Sequence, residues 1–230
     1  MNKELLELYK DLRVADVRDG MDWIGYQNFG SLDPSVRPLY RTRAVGIART
    51  ARYLPFEGPY PDAKYDEYTK WQGWYYANVC TYPWMSDIQD GDFMAIDVSG
   101  VNVGLMGSAN TLGALTKGVR GFVFNGGGIR DTDETLMQQI PVWSGFLSQS
   151  MVQSKIQFDQ KDISIAIGGN IISPGDIIVA DGDGVIVVPR KAAKDVAKYA
   201  CKILDSDRND RRDLYITLNR KLDETVNKAV

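Results

Sequence analysis

Residues 125–131 read Asn-Gly-Gly-Gly-Ile-Arg-Asp and follow the apolar run Gly121-Phe122-Val123-Phe124. A buried strand is expected to end there, in a glycine turn that delivers Arg130 and Asp131. Glycine takes positive φ without a Cβ penalty and lets backbone approach a ligand, while the next two side chains supply a planar cation fork and a hard anionic oxygen. The fork suits a carboxylate; the oxygen suits a divalent metal. Each residue also has a plainer use. Arg130 could close a structural ion pair, and Asp131 could cap a helix beginning Thr132-Asp133-Glu134, a position aspartate favours. The glycines could cradle a phosphate, but neither GxGxxG nor GxxxxGK[ST] is present. Lys117 could form a Schiff base; placed beside Thr116 in a helix, it reads as a solvated lysine instead.

The chain's missing residue types narrow the chemistry further. It has no histidine among 230 residues, which removes Ser-His-Asp and Cys-His nucleophiles, His-ligated zinc and imidazole proton shuttles. Cys80 and Cys201 lack CxxC spacing and read as two reduced, buried thiols, so zinc and iron–sulfur sites are disfavoured too. A metal here would take carboxylate, carbonyl and water oxygens, as Mg²⁺ or Mn²⁺ does. Acid–base work falls to carboxylates, Lys, Tyr or metal-bound water. A net charge of −3 without a long basic run argues against nucleic acid as a partner. No secretory h-region or membrane-length apolar stretch is found, so a cytoplasmic, non-membrane protein is expected. An apolar fraction of 44% with 25% charged residues is ordinary for a soluble globular chain.

These residues need a scaffold, and the pattern supplies alternating helix and strand signals. Leu5, Leu6, Tyr9, Leu12, Val17, Met21 and Ile24 fit one or two amphipathic helices over 2–25. Strands are expected in 39–53, 94–98, 121–124, 141–143, 163–167, 176–180 and 184–188, with helices in 105–119 and 192–222. The interleaving implies α/β layers around a central sheet or barrel. Asp181-Gly182-Asp183-Gly184 has the residues of a tight hairpin turn. Calcium is the alternative reading, but a later bidentate acid is lacking.

The run from Gly104-Leu-Met-Gly-Ser-Ala-Asn-Thr-Leu-Gly to Gly118, then Gly121-Phe-Val-Phe-Asn-Gly-Gly-Gly-Ile-Arg-Asp-Thr-Asp-Glu134, resembles the RraA-like family. That family includes metal-dependent 4-hydroxy-4-methyl-2-oxoglutarate/4-carboxy-4-hydroxy-2-oxoadipate aldolases. The 175–189 hairpin and Ala15-Asp16-Val17-Arg18-Asp19 resemble its C-terminal signature and opening helix, so the likeness covers about residues 12–200. It implies a layered α/β/α fold of the swivelling, phosphohistidine-domain type, as one domain over 1–230, in homotrimers or homohexamers with sites at subunit interfaces.

By the same resemblance, Arg130 holds the carboxylate of a pyruvyl moiety and Asp131 coordinates Mg²⁺ or Mn²⁺. Gly107, Ser108, Ala109 and Asn110 would offer the substrate carboxylate a helix N-terminus, which agrees with the positive dipole end and unpaired N–H groups found there. The implied function is divalent-metal-dependent lysis of a 2-oxo acid, by retro-aldol cleavage or decarboxylation, through a pyruvate enolate. A non-catalytic regulator that contacts a ribonuclease is the alternative; such members tend to lose the aspartate retained here as Asp131. Two departures stand out. The family's acidic residue upstream of Arg-Asp falls at Ser108, which cannot act as an anionic base; a further acid from a neighbouring subunit's C-terminal helix corresponds to Asp205 or Asp207. Nearly half of the aromatic residues fall in 53–84, including Tyr60, Tyr65, Tyr68, Trp71, Trp74, Tyr75 and Tyr76. That insertion reads either as a substrate-facing wall or as a subunit-interface patch. From about 191 onward the chain is expected to be helical.

Overall fold

The computed structural model describes residues 2–227. The chain opens with two amphipathic helices, α1 (Asn2–Tyr9) and α2 (Val14–Asp22), which bury Leu5, Tyr9, Val17 and Met21. Asp16 anchors the start of α2, accepting the Arg13 backbone N–H at 2.8 Å and the Arg13 guanidinium through both oxygens. The elements that follow are β1 (Arg37–Pro38), β2 (Ala44–Pro55), α3 (Tyr65–Asn78), β3 (Asp92–Asp97), α4 (Ser108–Leu115), β4 (Gly121–Asn125), α5 (Thr132–Met137) and β5 (Val142–Ser144). Then come β6 (Ile156–Lys161), β7 (Ile165–Ile167), β8 (Asn170–Ile172), β9 (Ile177–Asp181), β10 (Gly184–Val188) and α6 (Ala193–Thr217).

The main sheet runs β1-β5-β4-β3-β2-β9-β10, and β6 pairs with the far end of β2. Strands β2 to β5 are parallel to one another in that order, whereas β9, β10, β6 and β1 pair antiparallel. The two ends of the sheet approach each other and nearly close a barrel. Leu32 N–H donates to Val185 O at 3.0 Å, Arg37 to Asp183 O at 2.8 Å, and Trp143 Nε1 to Asp181 O at 2.9 Å. Alternation along the strands then builds separate cores on the two faces. Phe93, Ala95, Val123, Trp143, Ile178 and Val187 fill the inside, capped by Ile165, Ile167 and Ile172 of the β7–β8 hairpin. Outside, Ile47, Ile177, Val179, Ile186 and Val188 pack under α1, α2 and α6. Met94, Ile96, Phe122 and Phe124 lie in a third cluster with Tyr75 of α3 and Ala114 of α4. Both faces of β3, β4, β9 and β10 are covered, which explains their unbroken apolar runs. The layered α/β expectation holds.

Several boundaries differ from expectation. The strand expected over 39–53 is β2, which begins at Ala44 and continues to Pro55. α4 is shorter than 105–119, because Leu105 and Met106 run extended beside Ile129, through a bridge between Met106 and Ile129. α6 stops at Thr217, short of Leu222. The pattern also missed β6, β8 and α3. In α3 the aromatic residues encircle the helix, with Tyr75 buried and Tyr65 and Trp74 exposed, so no clean apolar stripe marks it.

Candidate active site

β4 lies beside β3, and Asn125 Nδ2 donates to Asp97 Oδ1 at 2.9 Å, joining the two strand ends. Beyond Asn125 the chain turns through Gly126 and Gly128, at φ +87° and +97°. The glycines have a packing cause. A Cβ on Gly126 or Gly127 would lie 3.2 or 3.0 Å from the Phe146 ring, and one on Gly128 would lie 2.3 Å from the Phe124 ring. Close approach here serves the protein's own aromatic rings; this corrects the sequence-based expectation of backbone bared to a ligand. Ser144 Oγ lies 2.7–2.8 Å from the carbonyls of Gly126, Gly127 and Phe146 and locks the turn to the next loop.

The turn does deliver the charged pair. Arg130 Nε donates to Asp131 Oδ1 at 3.1 Å, and the Ser108 backbone N–H donates to Asp131 Oδ2 at 3.3 Å. Two glycines on the facing 104–107 stretch make room for these side chains. A Cβ on Gly104 would meet the Arg130 stem at 2.6–2.8 Å, and one on Gly107 would stand 2.3 Å from Asp131 Oδ2. Asp131 occupies the N-cap of α5 in the left-handed region, φ 55°, but makes no side-chain cap bond. Its backbone starts α5 while its carboxylate turns toward α4, so the side-chain cap weighed from the sequence is not made. Left-handed backbone is uncommon outside glycine and concentrates at functional sites.

Gly107 and Ser108 lie against Asp131, whereas the resemblance has Gly107, Ser108, Ala109 and Asn110 facing the substrate carboxylate. The Ser108 N–H is already committed to Asp131, leaving the N–H groups of Ala109 and Asn110 without an acceptor among the described residues. Arg130 is about one-third exposed, and its terminal nitrogens have no hydrogen-bond partner among the described residues. The pair opens on a cleft of about 450 Å³, walled by Asn102, Thr132 and the 147–150 stretch. That stretch is held by main-chain bonds from Ser148 N–H to Ile129 O, 3.2 Å, and from Gly104 N–H to Ser150 O, 2.9 Å. Asn102, Gln149 and Ser150 were not singled out from the sequence; only the fold brings them to Arg130.

A family model described as Aldolase/RraA matches residues 14–187. The chain belongs to the RraA-like family. A Halalkalibacterium halodurans relative named "Putative 4-hydroxy-4-methyl-2-oxoglutarate aldolase" is 31% identical over 82% of this chain and 77% of its own length. Protein DlpA of Legionella pneumophila is 26% identical over 86% of this chain, which spans only 30% of that relative. Streptomyces coelicolor RraAS2, an unusual member of the RNase ES inhibitor RraA protein family, shares the fold with a TM-score of 0.72. It is 22% identical, with 92% of this chain and 97% of that one covered. The RraA-like family thus holds aldolase-like enzymes and ribonuclease inhibitors.

The remaining candidates have structural explanations in this RraA-like chain. Lys117 lies just past α4, where its ammonium donates to Met85 O at 3.0 Å. Asp207 binds Arg13 and Arg211 within its own chain, and the resemblance assigns it or Asp205 to a neighbouring subunit's site rather than to the Asp131 of the same chain. Asp181 uses one oxygen for Asp183 N–H, 2.8 Å, and the other for Val14 N–H, 2.9 Å, so the acidic hairpin turn is structural. Both cysteines are free, but Cys201 is exposed, which corrects the expectation of two buried thiols; burial pushes the Cys80 thiol up to about 12.

The aromatic segment has a role that neither sequence reading named. Tyr53, Tyr75 and Trp84 are buried, and Tyr82 Oη donates to Leu105 O at 2.8 Å, directly behind the stretch that seats Arg130. Trp84 Nε1 donates to Tyr53 Oη at 2.9 Å, and Tyr75 Oη to Ile156 O at 2.7 Å. These rings buttress the site from within the chain. No helix among the described residues is long and apolar enough to cross a membrane.

Proposed function

We propose that the chain is a divalent-metal-dependent lyase that cleaves a 2-oxo acid through a pyruvate enolate, by retro-aldol cleavage, decarboxylation or both. One observation carries the reading: an arginine fork with open terminal nitrogens beside a carboxylate, both seated against glycines on the rim of a cleft. Asp131 fits Mg²⁺ or Mn²⁺. Such ions are held by one or two carboxylates and keep several waters, and each Asp131 oxygen retains a lone pair beyond its N–H contact. Gly107 leaves the space over Oδ2 free of a Cβ.

Arg130 binds the substrate carboxylate through its terminal nitrogens in a bidentate pair, which fixes orientation and adds charge stabilisation. The N–H groups of Ala109 and Asn110 stand at the positive end of α4, which favours an anion. Ser108 can hold a water or hydroxyl by hydrogen bonding. When bound, the metal supplies Lewis-acid stabilisation of charge developing on the substrate's keto oxygen. The working form is proposed to be a cytoplasmic homotrimer or homohexamer.

The deciding measurement is pyruvate release from oxaloacetate and 4-hydroxy-4-methyl-2-oxoglutarate with Mg²⁺ or Mn²⁺. Activity should vanish with EDTA and fall on the order of 10³-fold in Asp131→Asn, which tolerates the left-handed backbone but lacks the charge. Protein inert on a broad 2-oxo-acid panel, with no metal-dependent thermal shift, would instead favour the ribonuclease-regulator reading.

A further inference from the structure

We infer that Tyr82 is a positioning residue for Arg130: its hydroxyl, acting through the Leu105 carbonyl, sets the guanidinium for the substrate carboxylate and leaves the metal seat at Asp131 alone. This role rests on the lyase reading and adds to it a residue that touches neither substrate nor metal. It is made of contacts within one chain.

The 103–106 stretch pairs with the turn that carries Arg130. Gly128 N–H donates to Val103 O at 2.6 Å, Met106 N–H to Gly128 O at 2.8 Å, and Arg130 N–H to Met106 O at 3.0 Å. Gly104, in the same stretch, has no room for a Cβ, because the Arg130 stem lies 2.6–2.8 Å from where it would stand. Leu105, between Gly104 and Met106, is buried, and its carbonyl accepts the Tyr82 hydroxyl at 2.8 Å. A shift of Leu105 is therefore passed to Arg130 through backbone and stem together, since close-packed interiors transmit displacement. Asp131 is seated farther along, by Gly107 and the Ser108 N–H, beyond the Met106 pairing.

Tyr82 is itself held. Its ring packs against Tyr53 and Trp84 at centroid separations of 6.3 and 5.9 Å, and the Trp84 indole is tied to the Tyr53 hydroxyl. Burial raises the Tyr82 phenol well above its ordinary range, with Arg130 close enough to oppose that rise, so the hydroxyl stays a donor. Tyr53 and Tyr75 send their hydroxyls elsewhere, to Thr81 O at 2.8 Å and Ile156 O at 2.7 Å. Tyr82→Phe would strip the Leu105 carbonyl of the one donor it has among the described residues. A buried acceptor left unsatisfied is costly, so the stretch relaxes away from the position that seats Arg130.

The test measures Mn²⁺ binding and pyruvate binding by calorimetry, and KM and kcat for oxaloacetate decarboxylation, in the wild type, Tyr82→Phe and Tyr9→Phe. Tyr9 donates to Ala193 O at 2.6 Å in the core under α6, so its variant loses the same kind of buried bond away from the site. Tyr82→Phe should weaken pyruvate binding and raise KM about 5- to 20-fold, the worth of one buried hydrogen bond, with kcat and Mn²⁺ affinity within about twofold. Tyr9→Phe should leave all four at wild-type values. In an Arg130→Lys background, Tyr82→Phe should have no further effect on KM, because its action passes through the guanidinium. Tyr82→Phe that binds pyruvate as the wild type does, that weakens Mn²⁺ equally, or that is matched by Tyr9→Phe overturns the positioning role and leaves the lyase reading standing. A wild type that binds neither Mn²⁺ nor pyruvate and is inert on oxaloacetate overturns the two together.

Discussion

Two turns in this chain have nearly the same ingredients, a buried strand followed by glycine and aspartate, yet they do different things. In the 181–184 turn, both Asp181 oxygens accept main-chain N–H groups and Arg37 covers the Asp183 carbonyl. The Asp181 carboxylate is directed inward, to the backbone that closes the barrel. In the 125–131 turn, the carboxylate again finds two N–H partners, but one belongs to an arginine whose terminal nitrogens face a cleft. Composition does not separate the two. Donors without partners, and a left-handed aspartate held in place by its surroundings, do.

The contrast can be broken or sharpened by substitution. After the loss expected for Asp131→Asn, the largest effect is on stability. Gly128→Ala adds positive-φ strain and a contact with Phe124, and should cost about 2–4 kcal/mol by denaturant midpoint. A smaller loss would mean that the turn is more pliable than its packing indicates. Gly107→Ala comes next. Its methyl would displace the Asp131 carboxylate, so kcat/KM should drop on the order of 100-fold while the melting temperature changes little. Retained activity would show that the carboxylate can move without consequence.

The hairpin side should respond through pH. Burial holds the Asp176 carboxyl above its ordinary range, against the charge-stabilising N–H groups of Ser173 and Arg190. A folded value raised above the unfolded one gives stability that is full below the unfolded pKa, about 3.9, and is lost as pH rises through the folded value. The melting-temperature difference between the wild type and Asp176→Asn should therefore shift against the wild type as pH rises from about 3 to about 6. A constant offset would contradict the raised value. The smallest effect belongs to Gly182→Ala. Its methyl would also fall 2.3 Å from an atom, but that atom is the mobile end of Arg41, so stability should stay within about 0.5 kcal/mol.

Much of the scaffold was legible because the barrel strands are buried on both faces and therefore read as apolar runs between glycine and proline signals. α3 and β6 were not, since ringed aromatic residues and mixed polarity leave no simple period. The Arg130–Asp131 pair was legible from residue type and from the family resemblance. The significance of the glycines was not, because it depends on Phe146 and Phe124, whose positions only the fold reveals. Gly104, Asn102 and Gln149 were hidden for the same reason: their part depends on neighbours distant in sequence.

The left-handed backbone at Asp131 limits how this site can change through evolution. Asparagine and glycine are the substitutes that accept such a conformation most readily, and each is a single-nucleotide step from an aspartate codon. Both would keep the start of α5 and the barrel intact while removing the charge. A lineage could thus silence the chemistry and keep a folded surface available for other partners, without passing through an unstable intermediate.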